Sequence, residues 1–88
     1  MDILAILATT VGVFLGLSNV PQAIKIFQRK SVRDISLTTY VIVEVGSLIW
    51  ILYGLEIKNY PIVIPNVLGF LATGLVLIGY LLYRKAEK

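Results

Sequence analysis

Two stretches of this chain, Ile3 to Ile24 and Tyr60 to Tyr83, contain no charged residue. Each exceeds the roughly 20 consecutive apolar residues that an α-helix needs to cross a bilayer. A third stretch, Leu37 to Leu55, is of adequate length and carries one charge, at Glu44. A soluble helix keeps a polar face, and these segments have none. With 58% hydrophobic residues in a total of 88, the chain reads as an all-α membrane protein of one domain. Residues 1–88 are expected to form a three-transmembrane-helix bundle, with spans at about 3–26, 37–55 and 60–83. Met1-Asp2 lacks the basic start of a cleaved leader, so the first span is expected to be retained.

The net charge of +3 is concentrated beside the spans. Lys25, Arg29, Lys30 and Arg33 stand against Asp34 alone around the first connection, and Arg84 to Lys88 form a second basic cluster. Both fall on one side of a three-span chain. The excess of basic residues on cytoplasmic loops then predicts a cytoplasmic C-terminus and an external N-terminus. A multi-pass membrane protein is expected, and nucleic acid is not an expected partner. Ser36 is placed to cap the second span, and Pro61 is acceptable in the first turn of the third.

The first span is interrupted. Pro21 removes a backbone donor and clashes with the carbonyl four residues back, so the helix must kink. Ser18, Asn19 and Gln22 surround it, and polar groups at membrane depth are tolerated where they face protein or water. Ala8, Gly12 and Gly16 make a small-residue stripe on the same span, suited to close helix packing or to leaving room for a ligand.

Three helices do not enclose a polar pathway wide enough for a solute. A homodimer of six helices is expected, parallel because charge bias orients every copy alike, with its axis along the membrane normal. At about 1.5 Å per residue, Trp50 and Asn66 lie at similar depths of about 8 and 9 Å below the outer surface. An aromatic face beside an amide suits a sugar, the ring covering C–H groups and the amide offering a donor and an acceptor. Each residue also has an ordinary structural use, as an interfacial or packing aromatic and as an interhelical hydrogen bond. Val43, Gly46, Trp50 and Tyr53 share one helical stripe, and Asn66 shares another with Gly69, Phe70 and Thr73.

Asn19 and Glu44 both fall about 10 Å from the cytoplasmic surface, close enough in depth to pair. An intramembrane carboxyl is a candidate for proton coupling. Glu44 is rotated away from Trp50, however, onto a stripe with Tyr40, Ser47 and Ile51. That favours a helix or subunit interface, with the carboxyl protonated or hydrogen-bonded.

The chain has no histidine and no cysteine. That removes the commonest general base, disulfides and thiol chemistry. No phosphate-binding loop, metal-ligand cluster or nucleophile–base pair is present. Neither an enzyme nor a cofactor or metal site is expected.

Taken in order, Pro21-Gln22, Asp34-Ile35-Ser36, Trp50-Ile51-Leu52-Tyr53-Gly54 and Pro65-Asn66 resemble the motifs of the bacterial SemiSWEET sugar transporters, within the PQ-loop and SWEET group. The resemblance covers essentially the whole chain. It implies packing order 1-3-2, with the third span between the first two, and two such bundles in a parallel homodimer. It also implies that Trp50 and Asn66 line a central sugar pocket, that Pro21-Gln22 is a hinge for alternating access, and that Tyr53 belongs to an outer gate. Ile57 and Asn59 stand where several relatives carry Arg and Asp, so closure through Tyr53 packing or Lys58 is expected instead.

The expected function is therefore facilitative sugar transport, a uniporter for mono- or disaccharides with its pocket at the homodimer axis. The alternatives are a proton-coupled carrier of another small solute using Glu44, and a non-transporting membrane scaffold subunit.

Overall fold

The computed structural model describes residues 2–32 and 35–84. Asp34 of the resemblance motif and residues 85–88 of the basic tail lie outside the described residues. Four helices follow in order: α1 (Ile3–Leu17), α2 (Asn19–Arg29), α3 (Leu37–Glu56) and α4 (Tyr60–Tyr83). α1 and α2 together make the first apolar crossing, Ile3–Arg29, and α3 and α4 the other two.

The starts of α1, α3 and α4 are each marked by a polar cap. Asp2 accepts from the Ala5 N–H at 2.7 Å. Ser36 accepts from the Thr39 N–H at 3.3 Å, and Asn59 accepts from the Ile62 N–H at 3.3 Å. Within α1 the hydroxyls of Thr9 and Thr10 donate to the carbonyls of Ala5 and Ile6, both at 2.8 Å. That bond removes the cost of an unpaired hydroxyl facing hydrocarbon.

The first crossing breaks at Ser18. The reason lies at Pro21, which supplies no N–H to the carbonyl of Leu17 and whose ring crowds that carbonyl. Pro21 therefore sits in the first turn of a new helix, where a missing donor costs little. The Ser18 N–H and hydroxyl both donate to the Leu15 carbonyl. The Gln22 side chain makes no hydrogen bond among the described residues; the side-chain bond to backbone at the break comes from Ser18. The helical path continues past Ile26 to Arg29 because α2 is amphipathic, burying Ala23 and Ile26 while Ile24, Lys25, Gln28 and Arg29 stay exposed.

α4 is the central element. It packs against α1, α2 and α3, whereas the backbones of α1 and α3 do not approach each other closely. This is packing order 1-3-2 in terms of the three crossings. The buried face of α4 is Gly69, Ala72, Thr73, Val76 and Gly79. Small residues suit this position because helix association in lipid depends on close van der Waals approach. An ideal Cβ on Gly16 would lie 3.0 Å from the backbone N of Gly69 and the carbonyl of Pro65, and one on Gly79 would lie 2.6 Å from Ile26 Cγ2. At the end bearing the first connection, here termed the basic end, Ala23, Ile26, Val32 and Val76 form a core flanked by Ile35, Tyr40, Tyr80 and Tyr83. Phe27 meets Tyr83 edge-on with ring centroids 5.8 Å apart. α1, by contrast, has no buried residue.

The opposite end is closed by a tight turn. The Asn59 N–H donates to the Gly54 carbonyl at 2.8 Å and the Lys58 N–H to the Leu55 carbonyl at 3.2 Å, the Schellman pattern. It requires Lys58 in the left-handed region, at φ 53°. Lys58→Gly is expected to raise stability by about 0.5–1 kcal/mol by removing that strain. Thermal unfolding in detergent measures it, and a lowered midpoint would contradict the assignment.

Candidate functional site

A cleft of about 310 Å³ opens between the first crossing and the pair α3–α4. Gly12, Leu15 and Gly16 of α1 and Asn19 of α2 line one wall; Val43 and Ser47 of α3 and Pro65, Asn66, Gly69 and Thr73 of α4 line the rest. The cleft exists because glycine faces glycine. Gly12 and Gly16 let α1 ride on Pro65 and Gly69 while leaving the adjacent space unfilled.

Its polar groups are neutral. The Asn19 amide donates to Thr73 Oγ1 at 3.1 Å, linking the first turn of α2 to the centre of α4. The Asn66 amide donates to the Ile62 carbonyl one turn back at 2.7 Å, which leaves its carbonyl oxygen and a second N–H unspent. Ser47 is buried and Thr73 fully so. Amides and hydroxyls of this kind offer donors and acceptors without charge, the recognition chemistry of a polyhydroxylated neutral solute.

Trp50 and Tyr53 stand outside the cleft wall, nearer the turn end. Their rings pack edge to face with centroids 5.9 Å apart, and about half the surface of each is exposed. Trp50 follows Val43 and Ser47 on one stripe of α3, so its ring continues the line of the cleft. Of the residues singled out in the sequence, the structure thus brings Asn19 and Asn66 together and sets Trp50 and Tyr53 beside them. Pro21 lies exposed on α2, past the break.

Glu44 is elsewhere. It borders a separate apolar groove between α3 and α4 with Phe70, Leu71, Gly74, Leu75 and Ile78. Its Oε1 is buried and has no hydrogen-bond partner. The expected pairing of Asn19 with Glu44 is replaced by Asn19 with Thr73, because α4 stands between the helices that carry the two residues. Phe70, placed by helical angle beside Asn66, faces the Glu44 groove.

Ser47 is the cleft residue that the sequence stripe misplaced. It is about 40° from Val43 and about 60° from Glu44 around the helix, so a stripe drawn through either includes it. Thr73 was on the Asn66 stripe but was not singled out; its sequence signal is a hydroxyl among small residues on the buried face.

The MtN3 family model, described as sugar efflux transporter for intercellular exchange, matches residues 2–88. The sugar transporter SemiSWEET of Bradyrhizobium diazoefficiens is 35% identical over 72% of this chain and 73% of its own. The SemiSWEET of Leptospira biflexa is 30% identical over 68% of this chain and 71% of its own. A bidirectional sugar transporter of the SWEET group from Arabidopsis thaliana is 32% identical over 67% of this chain, a stretch that is 20% of that longer protein. The crystal structure of a bacterial homologue of SWEET transporters superimposes with a TM-score of 0.85 and 28% identity, covering 93% of this chain and 99% of that one. These relatives are transporters rather than enzymes. Its sequence, its helix order and its cleft together make this chain a member of the MtN3/SWEET family of sugar transporters.

Proposed function

We propose that the protein is a facilitative sugar uniporter of the SemiSWEET type, moving mono- or disaccharides across a cell membrane by alternating access. The observation that carries this reading is the neutral, hydroxyl- and amide-lined cleft, continued by the exposed Trp50 ring, in a bundle of this family. The bundle extends 49 × 21 × 14 Å. The cleft lies between the first crossing and the pair α3–α4, with walls from these three crossings alone. The cleft is therefore a half-site open along one face, and a second parallel copy would close it at a twofold axis. Trp50 and Asn66 of both copies would then hold the sugar, with Tyr53 above them as the outer gate. By charge bias, the basic end would be cytoplasmic and the N-terminus external, in a bacterial inner membrane.

The break at Ser18 supplies the hinge. α2 is held against α4 through Ile26 at Gly79 and Phe27 at Tyr83, while α1 rides on glycines. Bending at the break swings α2 relative to α1 and opens or closes the basic end. Pro21→Ala restores the Leu17 acceptor's missing donor and stiffens the crossing. It is expected to slow exchange roughly tenfold and leave half-saturation within about twofold, since Pro21 does not touch the cleft. Proteoliposome exchange rates measure both; weakened binding with unimpaired exchange would contradict the hinge.

One observation favours a second reading. Glu44 keeps a buried carboxyl oxygen without a partner, a cost of about 1–3 kcal/mol that proton-coupled transport would explain. Uniport predicts that sugar equilibrates without a pH gradient and that Glu44→Gln leaves the rate unchanged. Uptake that follows a pH gradient in the wild type and is uncoupled in Glu44→Gln would establish the proton-coupled carrier.

A further inference from the structure

We infer that the groove at Glu44 is a ligand site of its own, open to the hydrocarbon of the bilayer, and that it takes a lipid-soluble amine with a short apolar body. The groove holds about 310 Å³ between α3 and α4, at the small end of ligand pockets, and Glu44 is the one ionisable residue in its lining. It shares no lining residue with the cleft. Around α3, Ser47 separates the two: Val43 lies about 40° to one side of it, in the cleft, and Glu44 about 60° to the other. On α4, the groove residues Leu71, Leu75 and Ile78 are each about half exposed. The groove thus opens on the flank of α3–α4 turned away from the cleft, where membrane hydrocarbon lies.

Gly74 seats the carboxyl. An ideal Cβ there would lie 3.0 Å from Glu44 Oε2, so a larger residue would push the carboxyl off α4. Thr9, Thr10, Ser18, Asn19 and Asn66 all donate to acceptors within the chain. Glu44 Oε1, by contrast, is buried and has no partner among the described residues. A carboxyl left so at membrane depth is costly. A cationic donor completes it best, because charge-assisted hydrogen bonds are roughly twice as strong as neutral ones. The crossings supply none: residues 3–24, 37–55 and 60–83 contain no Lys or Arg, and a second copy brings the same spans. An amine supplies it, and carboxyl and amine share one proton, so the pair carries no net charge into the hydrocarbon. Depth selects the rest of the molecule. Glu44 lies about 10 Å from the basic end, and a phospholipid ammonium is held at the surface by its phosphate. The groove runs along α4 from Phe70 to Ile78, about 12 Å, which suits an alkyl chain of medium length.

The test is photolabelling of the purified protein in phosphatidylcholine nanodiscs with octylamine carrying a diazirine on its chain, the cross-link being located by mass spectrometry. Label is expected on the groove residues Leu71, Leu75 or Ile78, and unmodified octylamine is expected to compete it away. Glu44→Gln, which keeps the side chain's size, is expected to lower the label about tenfold, and octanol carrying the same diazirine to label the wild type about tenfold less than the amine does. D-glucose in excess is expected to leave the label unchanged. Equal labelling of wild type and Glu44→Gln, or by amine and alcohol, overturns the site. Protection by glucose also overturns it, by placing the amine in the cleft. So does a groove that takes no label in the wild type, the result if a second copy covers it. No sugar flux is measured, so the outcome stands apart from the transport reading.

Discussion

Trp50→Ala is expected to lower sugar uptake by more than about a hundredfold while leaving the fold intact. The Trp50 ring is about half exposed, and Tyr53 is the aromatic it packs against. Truncation therefore removes little of the chain's own packing, yet it removes the largest apolar face available to the C–H side of a sugar. Asn66→Ala should act alike. The bond it breaks within the protein is local, from its amide to the Ile62 carbonyl one turn away, and worth about 1 kcal/mol. Purified variants that keep their helical content and elution position but fail in proteoliposome uptake would show the expected separation of function from folding. Normal uptake by both would remove these residues from the pocket.

Gly16→Leu is expected to disrupt the bundle itself. A Cβ at Gly16 would already meet the backbone of Gly69 and Pro65 at 3.0 Å, and backbone of a central helix does not move aside as a flexible side chain does. Overpacking of this kind costs about 3 kcal/mol, and the added side chain would also fill the cleft that Gly16 borders. Gly46 provides the contrast. No atom lies within 4 Å of its ideal Cβ. Gly46→Ala is expected to be neutral or to stabilise by up to about 1 kcal/mol through helix propensity. Thermal unfolding in detergent separates the two. Equal midpoints would mean that the α1–α4 glycine contact carries no packing energy.

The spans, the Ser36 cap and the interruption near Pro21 were legible because each depends on local chemistry: charge-free length, a side-chain acceptor, a missing donor. The break falls at Ser18 rather than at Pro21 itself because the proline's effect is exerted on the turn before it. The order of the helices came from resemblance, since apolar periodicity does not say which span lies in the middle. That order also decides the partner of Asn19. Depth placed Asn19 level with Glu44, but depth carries no azimuth, and α4 intervenes between their helices with Thr73 in reach. Ser47 shows the same loss in smaller form: a residue midway between two stripes is assigned only when the neighbouring helix is seen.

The central claim is that this neutral cleft carries sugar without an ion gradient. Counterflow tests it most directly. Proteoliposomes containing the purified protein are loaded with unlabelled glucose or sucrose and diluted into trace labelled sugar with no pH or ion gradient. The account predicts a transient accumulation of label above its equilibrium level in the wild type, and none in Trp50→Ala. Accumulation of neither sugar by the wild type, or equal accumulation by Trp50→Ala, would contradict it.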